Sequence, residues 1–434
     1  MALLTATHPS AQECWTNDDI LASDRPTWAH ALGAAGYRPA LIGRLHALGP
    51  DQLHGFVHRE IGDHSPNWPG VARHDLGVLA RANDPWPESL TRSGPGRSSY
   101  ELKDEETSAA ASAFLERFAA SAREHERFAL HVGFMLPHPP YVCAEADFST
   151  FAGRLPLPRL AAPAREHPWL AWWRANRGLA EIAPADALRA RTAYYGLVAG
   201  LDRMIGRILA ALEATGLARN TLVIYASDHG DHLGERGLWW KHTLLDESVK
   251  VPLILTWPGH LPAGERRENV VSLLDLAPTI LEALGAPPLL HAAGRSFLPL
   301  ARNAAAAWHG EAFAEYCTDA VPAWTGGVAV QQRMLRAGSW KLCYYHGYPP
   351  QLFNLAADPD EINDLAGRAE CAAVRERLTA RLFAGWDPEH IRTRMAARRR
   401  DKDLLAAWAA EVEPESRFLW PLTPEQNRLE KTMN

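Results

Sequence analysis

The stretch Asn220-Thr221-Leu222-Val223-Ile224-Tyr225-Ala226-Ser227-Asp228-His229-Gly230-Asp231-His232-Leu233-Gly234-Glu235 passes in one step from an apolar run to a dense set of carboxylates and imidazoles. Its first half, rich in β-branched and aromatic residues, predicts a strand, and Ser227 to Gly230 predicts a turn at the strand's carboxyl end. A long helix is expected just upstream, from about Asp186 as N-cap to Thr215, with Gly216 stopping it. The same alternation runs through the chain. Pro26 to Gly36 predicts a short helix, Ala40 to Gly43 a strand, residues 104 to 126 a helix and Phe128 to Phe134 a buried strand. Val251 to Leu255 predicts another strand and the residues after Asp275 another helix. Such alternation predicts an α/β fold with a largely parallel central sheet flanked by helices. After about Glu315 short polar and apolar alternations, with Gly338-Ser339 as a hairpin turn, predict a small antiparallel sheet. From Cys371 onward the sequence reads as helical and charged, so the expected units are 1–315, 316–370 and a helical tail over 371–434.

The 434 residues are 47% hydrophobic and 22% charged, enough for a large buried core. A formal charge of -6 supplies no basic field for nucleic acid or an anionic membrane, so neither is an expected partner. Any anionic substrate must be attracted locally. The five cysteines form no CxxC pair, which argues against a disulfide framework or structural zinc and points to a reducing compartment. Met1-Ala2-Leu3-Leu4-Thr5-Ala6 has no basic n-region and no run of about 18 apolar residues occurs elsewhere, so the sequence as it stands predicts a cytoplasmic protein.

In open α/β sheets ligands sit beyond the carboxyl ends of the strands, and three polar clusters fall there. In Gly43-Arg44-Leu45-His46, Arg44 and His46 suit oxyanion binding and proton movement; an exposed Arg and a capping His are the alternative. In Met135-Leu136-Pro137-His138-Pro139-Pro140 the prolines stiffen the backbone and fix the His138 imidazole, either for general acid work or for a local backbone bond. Asp228 and His229, in a turn ended by Gly230, can converge on a cation, whereas a solvated acidic loop is the plainer reading. Lys241, past Trp239-Trp240, is either a point charge for an anionic group or a surface lysine.

Taken in order, these clusters resemble the sulfatase branch of the alkaline phosphatase superfamily, including choline-sulfatase-like and phosphonate-monoester-hydrolase-like members. The resemblance runs from the first residues to about Leu365. It is carried by Tyr37 to His46 with Gly49-Pro50-Asp51-Gln52-Leu53-His54-Gly55-Phe56, by Asn220 to Glu235, and by Lys241 through Glu247-Ser248-Val249-Lys250-Val251-Pro252. Leu352-Phe353-Asn354-Leu355, Asp358-Pro359-Asp360-Glu361 and Asn363-Asp364-Leu365 look like the family's small C-terminal sheet.

The resemblance implies roles. Asp228 and His229 match a pair of metal ligands, Lys241 and His138 the residues that hold the ester oxygens and assist the leaving group, and His46 the residue that helps decompose the covalent intermediate. Arg44 stands where the family usually has lysine, which keeps the charge and changes its reach. The implied cofactors are one divalent ion (Ca²⁺, Mn²⁺ or Mg²⁺) and a formylglycine made from a Cys/Ser-x-Pro-x-Arg motif. No cysteine here has proline at +2 and arginine at +4. Ser93-Gly94-Pro95-Gly96-Arg97 fits the serine version but lies downstream of the Gly-x-x-His loop, where the family has it upstream. Met1-Ala2-Leu3-Leu4-Thr5-Ala6-Thr7-His8-Pro9 resembles the segment that follows the motif, so the nucleophile and a further Asp pair are expected upstream of Met1. Asp18-Asp19, with no strand leading in, reads as a turn. The resemblance therefore implies a metallohydrolase of sulfate monoesters, with little activity expected from these 434 residues alone. A phosphonate monoester or phosphodiester hydrolase, or a non-catalytic anion-binding remnant, are the alternatives. The expected partner is a small anionic ester; the tail beyond Cys371 suits a homo-oligomer or a lid.

Overall fold

A computed structural model describes residues 1–71, 75–83, 85–121, 125–163 and 165–430. Its strands in chain order are β1 (Tyr37–Gly43), β2 (His58–Glu60), β3 (Gly94–Arg97), β4 (Arg127–Gly133), β5 (Val142–Cys143) and β6 (Val223–Ala226). They continue with β7 (Leu253–Thr256), β8 (Glu311–Thr318), β9 (Val330–Ala337), β10 (Trp340–Tyr345), β11 (Gln351–Asn354) and β12 (Arg428–Leu429).

The α/β character expected from the alternation is present. β2, β1 and β4 form a parallel sheet in that order, with Leu41 opposite Arg59 on one side and His131 on the other. β1 is fully buried over Ala40, Leu41 and Ile42 because it has a partner on each edge. β4 differs from its buried expectation: it is apolar yet only half-buried from Phe128 onward, since β1 alone pairs with it among the described strands. β6 pairs with β7 in antiparallel fashion, Ile224 facing Leu255, where the alternation predicts parallel neighbours, and it too is half-buried. The carboxyl ends of β1 and β4 come level at Gly43 and Gly133, which fixes where their loops emerge.

Helix boundaries differ from expectation in what opens each helix. The short helix is Trp28–Ala34, opened by Thr27 and His30 as a reciprocal capping box and not by Pro26. The helix expected from residue 104 starts at Ser99 and runs to Ser121, while residues 122–124 of the expected span lie outside the described residues. Its first amide, Ser99 N, donates to Asn427 Oδ1 at 2.9 Å, a cap from far along the chain. The long helix is Pro184–Ala214; proline takes its first position, and Asp186 sits in the first turn paired to Arg189 at 2.5 Å instead of capping.

The C-terminal sheet has the order β11-β10-β9-β8 and is wholly antiparallel, with Gly338 at φ 56° in the expected hairpin turn. Met334, Cys343, Tyr345 and Phe353 from this sheet share one buried apolar cluster with Trp169, Trp173, Trp239 and Trp240. Each such side chain contributes about 1.5–3 kcal/mol by leaving water. Helices Ala372–Phe383 and Pro388–Val412 cover the other face. The helical reading of the tail fails beyond that point. Glu413 turns to φ 49° and Pro414, Pro421 and Pro424 follow, so the chain runs back as an irregular strap ending in β12 against β3. Residues 431–434 lie outside the described residues.

Candidate active site

Where β1 and β4 end, their loops cross at close range. Arg44 N donates to Gly133 O at 2.8 Å. A Cβ on Gly133 would stand 1.8 Å from Arg44 O, and one on Gly43 would stand 2.2 Å from Gly133 O, so both positions exclude a side chain. Beyond the crossing, His46 adopts φ 56°, held there by Asp63, whose Oδ2 accepts Leu45 N at 3.2 Å and His46 N at 3.0 Å. Arg59 pairs with the same oxygen at 3.0 Å. Burial opposes ionisation of Asp63, but Arg44, Lys103, Arg59 and His46 together hold its carboxyl well below the usual range.

Arg44 bridges the two loops. One guanidinium nitrogen donates to His46 Nδ1 at 2.8 Å and another touches Met135 Sδ. Since arginine only donates, His46 Nδ1 accepts and its proton resides on Nε2. On the β4 side Asp104 accepts Met135 N and Leu136 N, each at 2.8 Å, and so closes the turn that presents His138. His138 donates from Nδ1 to Pro139 O at 2.7 Å, leaving Nε2 as the open nitrogen. Burial, then the charges of Lys241 and Arg44, push its pKa well below the ordinary value, so the ring is neutral.

The turn after β6 carries Asp228 and His229. His229 Nδ1 donates to Gly230 O at 2.9 Å, which leaves a lone pair on Nε2, and Lys241 Nζ donates to it at 2.9 Å. Burial and the Lys241 ammonium lower the His229 pKa to about 4. Asp228 is 84% exposed in its side chain; burial among surrounding atoms opposes its charge, but His229, Lys241 and Arg44 hold the carboxyl below its ordinary pKa. Ser248 ties the turn together, since its carbonyl accepts Gly230 N at 2.7 Å and its hydroxyl donates to Lys241 O. Asp231 and His232, equally prominent in the sequence, face the interior. Asp231 accepts Tyr141 Oη at 2.6 Å and Trp240 N at 3.1 Å, and His232 Nε2 meets Thr243 Oγ1 at 2.6 Å.

Arg44, His46, His138, Asp228, His229 and Lys241 therefore come from the carboxyl ends of β1, β4 and β6 and the loop beyond, with the charges of Arg44 and Lys241 acting on both His138 and Asp228. Ser93 does not join them through its hydroxyl, which is buried and donates to Leu90 O at 2.6 Å. Asp19 is buried too, accepts Trp15 N and Thr16 N, and pairs with Lys402 at 2.6 Å, which makes it a turn residue. Sequence reasoning missed Asp63 and Asp104, because each acts on backbone amides remote from it in the chain.

Asp228 and His229 suit a hard or borderline divalent ion. Asp228 Oδ2 lies 3.6 Å from His229 Nε2, so one carboxylate oxygen and one imidazole stand side by side, although Lys241 Nζ holds the imidazole lone pair here and an ion would have to displace it. Two ligands make a weak site alone, and among the described residues no group of three or more His, Cys, Asp or Glu gathers to hold a metal.

The Sulfatase family profile matches residues 1–286, and that for N-sulphoglucosamine sulphohydrolase, C-terminal, matches residues 234–385. The chain is 30% identical over 404 residues to a choline-sulfatase of Rhizobium meliloti (strain 1021), covering 88% of this chain and 75% of that protein. It is 30% identical over 393 residues to the multifunctional alkaline phosphatase superfamily protein PehA of Trinickia caryophylli, covering 79% and 76%. Among solved structures, the phosphonate monoester hydrolase of Agrobacterium radiobacter superposes with a TM-score of 0.68 at 23% identity over 88% of this chain and 84% of that one. Sulfatases use a divalent metal ion and a formylglycine. The chain belongs to the sulfatase family, sulfuric ester hydrolases of the alkaline phosphatase superfamily.

Proposed function

We propose that this chain's site takes a sulfate monoester, with Arg44 and Lys241 on the ester oxygens, His138 at the leaving oxygen, His46 in breakdown of the covalent intermediate, and Asp228 with His229 as one pair of metal ligands. Residues 1–315 form the catalytic unit in this reading, 316–370 a small sheet and 371–434 a tail. The observations that carry it are the contacts of the two cations, Lys241 Nζ with His229 Nε2 at 2.9 Å and an Arg44 nitrogen with His46 Nδ1 at 2.8 Å, which put positive charge beside the polar side chains at the ends of β1 and β6. Burial is the larger cause of the depressed His138 pKa, but an anionic ester beside Arg44 and Lys241 would offset the part that their charges add, so that Nε2 can take a proton from solvent and deliver it to the departing oxygen. A divalent ion at Asp228 and His229 supplies charge neutralisation at the ester oxygens. Histidine at 229 admits Mn²⁺ as readily as Ca²⁺ or Mg²⁺, and this mixed donor pair is the observation that favours phosphonate monoesters or phosphodiesters as second substrates.

No Cys/Ser-x-Pro-x-Arg occurs upstream of Gly43 in the 434 residues, so these residues alone are expected to release no 4-nitrophenol from 4-nitrophenyl sulfate. The test fuses them to a family first strand with its Asp pair and nucleophile motif, coexpressed with a formylglycine-generating enzyme. Hydrolysis of the sulfate ester, lost in Asp228→Ala, is the expected result, with hydrolysis of 4-nitrophenyl phenylphosphonate read in parallel. A folded fusion that cleaves neither ester, or activity indifferent to Asp228→Ala, overturns the reading.

A further inference from the structure

The turns after β1 and β4 share a construction that the reaction itself does not require. Each is closed by a buried carboxylate from elsewhere in the chain that accepts two consecutive backbone amides. Asp63 takes Leu45 N and His46 N, and Asp104 takes Met135 N and Leu136 N. Both carboxylates are almost wholly buried, and Lys103, the residue beside Asp104, is completely buried as well. Lys103 Nζ makes no hydrogen bond with a described residue, although its charge acts on both carboxylates. Arg44 and Arg59 are the other cations in this interior, and His64, kept neutral chiefly by burial, borders it.

An ammonium buried without a hydrogen-bonding partner is costly, and a packing role would be met better by methionine or leucine. What the position supplies is a positive charge acting on two carboxylates that must stay ionised, because an ionised carboxylate only accepts and each of these takes two consecutive backbone amides. We infer that Lys103, Asp63 and Asp104 form one positioning set that fixes Arg44, His46 and His138 relative to one another. Asp63 sets the left-handed backbone of His46, and Asp104 sets the turn that leads to His138. Thr107, one helical turn beyond Lys103, lies against Gly43, so the helix Ser99–Ser121 registers both loops from below. Burial already pushes the Asp104 carboxyl up to about 6, and loss of the neighbouring ammonium removes an opposing influence. A protonated Asp104 would turn an O–H toward amides that need an acceptor, and the turn would let go.

The inference rests on reading Arg44, His46 and His138 as site residues, but its test needs no turnover. In the ¹³C-histidine-labelled chain, the ring signals of His46 and His138 are assigned with His46→Gln and His138→Gln, and binding of tungstate, a tetrahedral oxyanion, is followed by calorimetry. Lys103→Met, which fills the same space without charge, is expected to displace or broaden both ring signals and to weaken tungstate binding by about tenfold. Lys103→Arg, which returns the charge, is expected to restore both. If Lys103→Met does not fold, Asp104→Asn is read instead, since it keeps one acceptor oxygen but puts an NH2 donor where Asp104 Oδ1 now accepts Met135 N at 3.0 Å; it should move the His138 signal more than that of His46. The proposal is overturned by unchanged ring signals and affinity in folded Lys103→Met, by Lys103→Arg moving them as far as Met does, or by Asp104→Asn moving neither ring. Failure of the fused chain to cleave esters would leave these ring signals unaffected, so the two readings fall separately.

Discussion

Arg44, His46 and His138 stand on turns whose amides are taken by buried carboxylates, whereas Asp228 and His229 stand on a turn held largely through the backbone and hydroxyl of Ser248. The first side is fixed from the interior by charge. The second is fixed along the chain, and its carboxylate is open to solvent. The side that carries Arg44, His46 and His138 is therefore the rigid one, while the side that carries Asp228, His229 and Lys241 can adjust its geometry. The C-terminal sheet buttresses the second side: Lys341 on β10, completely buried, pairs with Asp246 at 2.7 Å and Glu361 at 2.6 Å, and Asp246 opens the short helix that contains Ser248.

The contrast can be broken in graded steps. The largest effect is expected from Lys341→Met, which leaves the buried Glu361 and the half-buried Asp246 without their cation and should cost about 3–5 kcal/mol in urea denaturation. A loss smaller than about 1 kcal/mol would mean that the sheet does not brace the β6 side through this triad. Gly133→Ala tests the crossing on the other side. Its new methyl has no room beside Arg44 O, so a loss of about 2–3 kcal/mol is expected in the same assay, and a neutral result would show that the loops separate at little cost.

A smaller effect follows from His232, whose pKa burial lowers from 6.5 to about 3. Its folded pKa lies below the unfolded one, so the neutral ring's contribution is present above pH 6.5 and is lost as pH falls from 6.5 toward 3. His232→Asn should therefore make stability less steep in pH by about one proton, or about 1.4 kcal/mol per unit, between pH 6 and pH 4. An unchanged slope would show the ring to be charged in the folded state. The smallest effect is expected from Asp228→Ala. Denaturation should shift by less than about 0.5 kcal/mol because the side chain is exposed, while calorimetric binding of Mn²⁺ disappears. A large loss of stability would place Asp228 in the framework instead of at an adjustable ligand position.

These differences also explain how far the sequence could be read. β1, β4 and β6 are legible because largely apolar, strand-forming residues run up to Gly43, Gly133 and Ser227, broken only by His131, and the polar clusters follow closely. What a local pattern cannot carry is the state of an edge: Phe128 to Val132 look like a buried strand, and their half-burial depends on which strands lie alongside. Asp186 was a sound capping residue by type, but Pro184 had already taken the first helical position. Asp63 and Asp104 had no local signal at all. They serve amides 18 and 31 positions away, so only the folded chain brings donor and acceptor together. Ser93 shows the opposite error, a motif that matches in letters while its hydroxyl closes a local turn.

The strap that ends in β12 has a consequence for the order of events on the ribosome. Asn427 caps the first amide of the helix Ser99–Ser121 from 328 positions further along the chain, and Trp420 N donates to Asp63 O beside the loop of His46. During synthesis that helix and its loops exist without their final contacts until residues 420 to 427 have emerged. The parallel strands can assemble early, but the last adjustment of Arg44, His46 and His138 waits for this strap. Arrival of the strap, not completion of the sheet, is then the moment at which the side carrying these three residues takes its final shape.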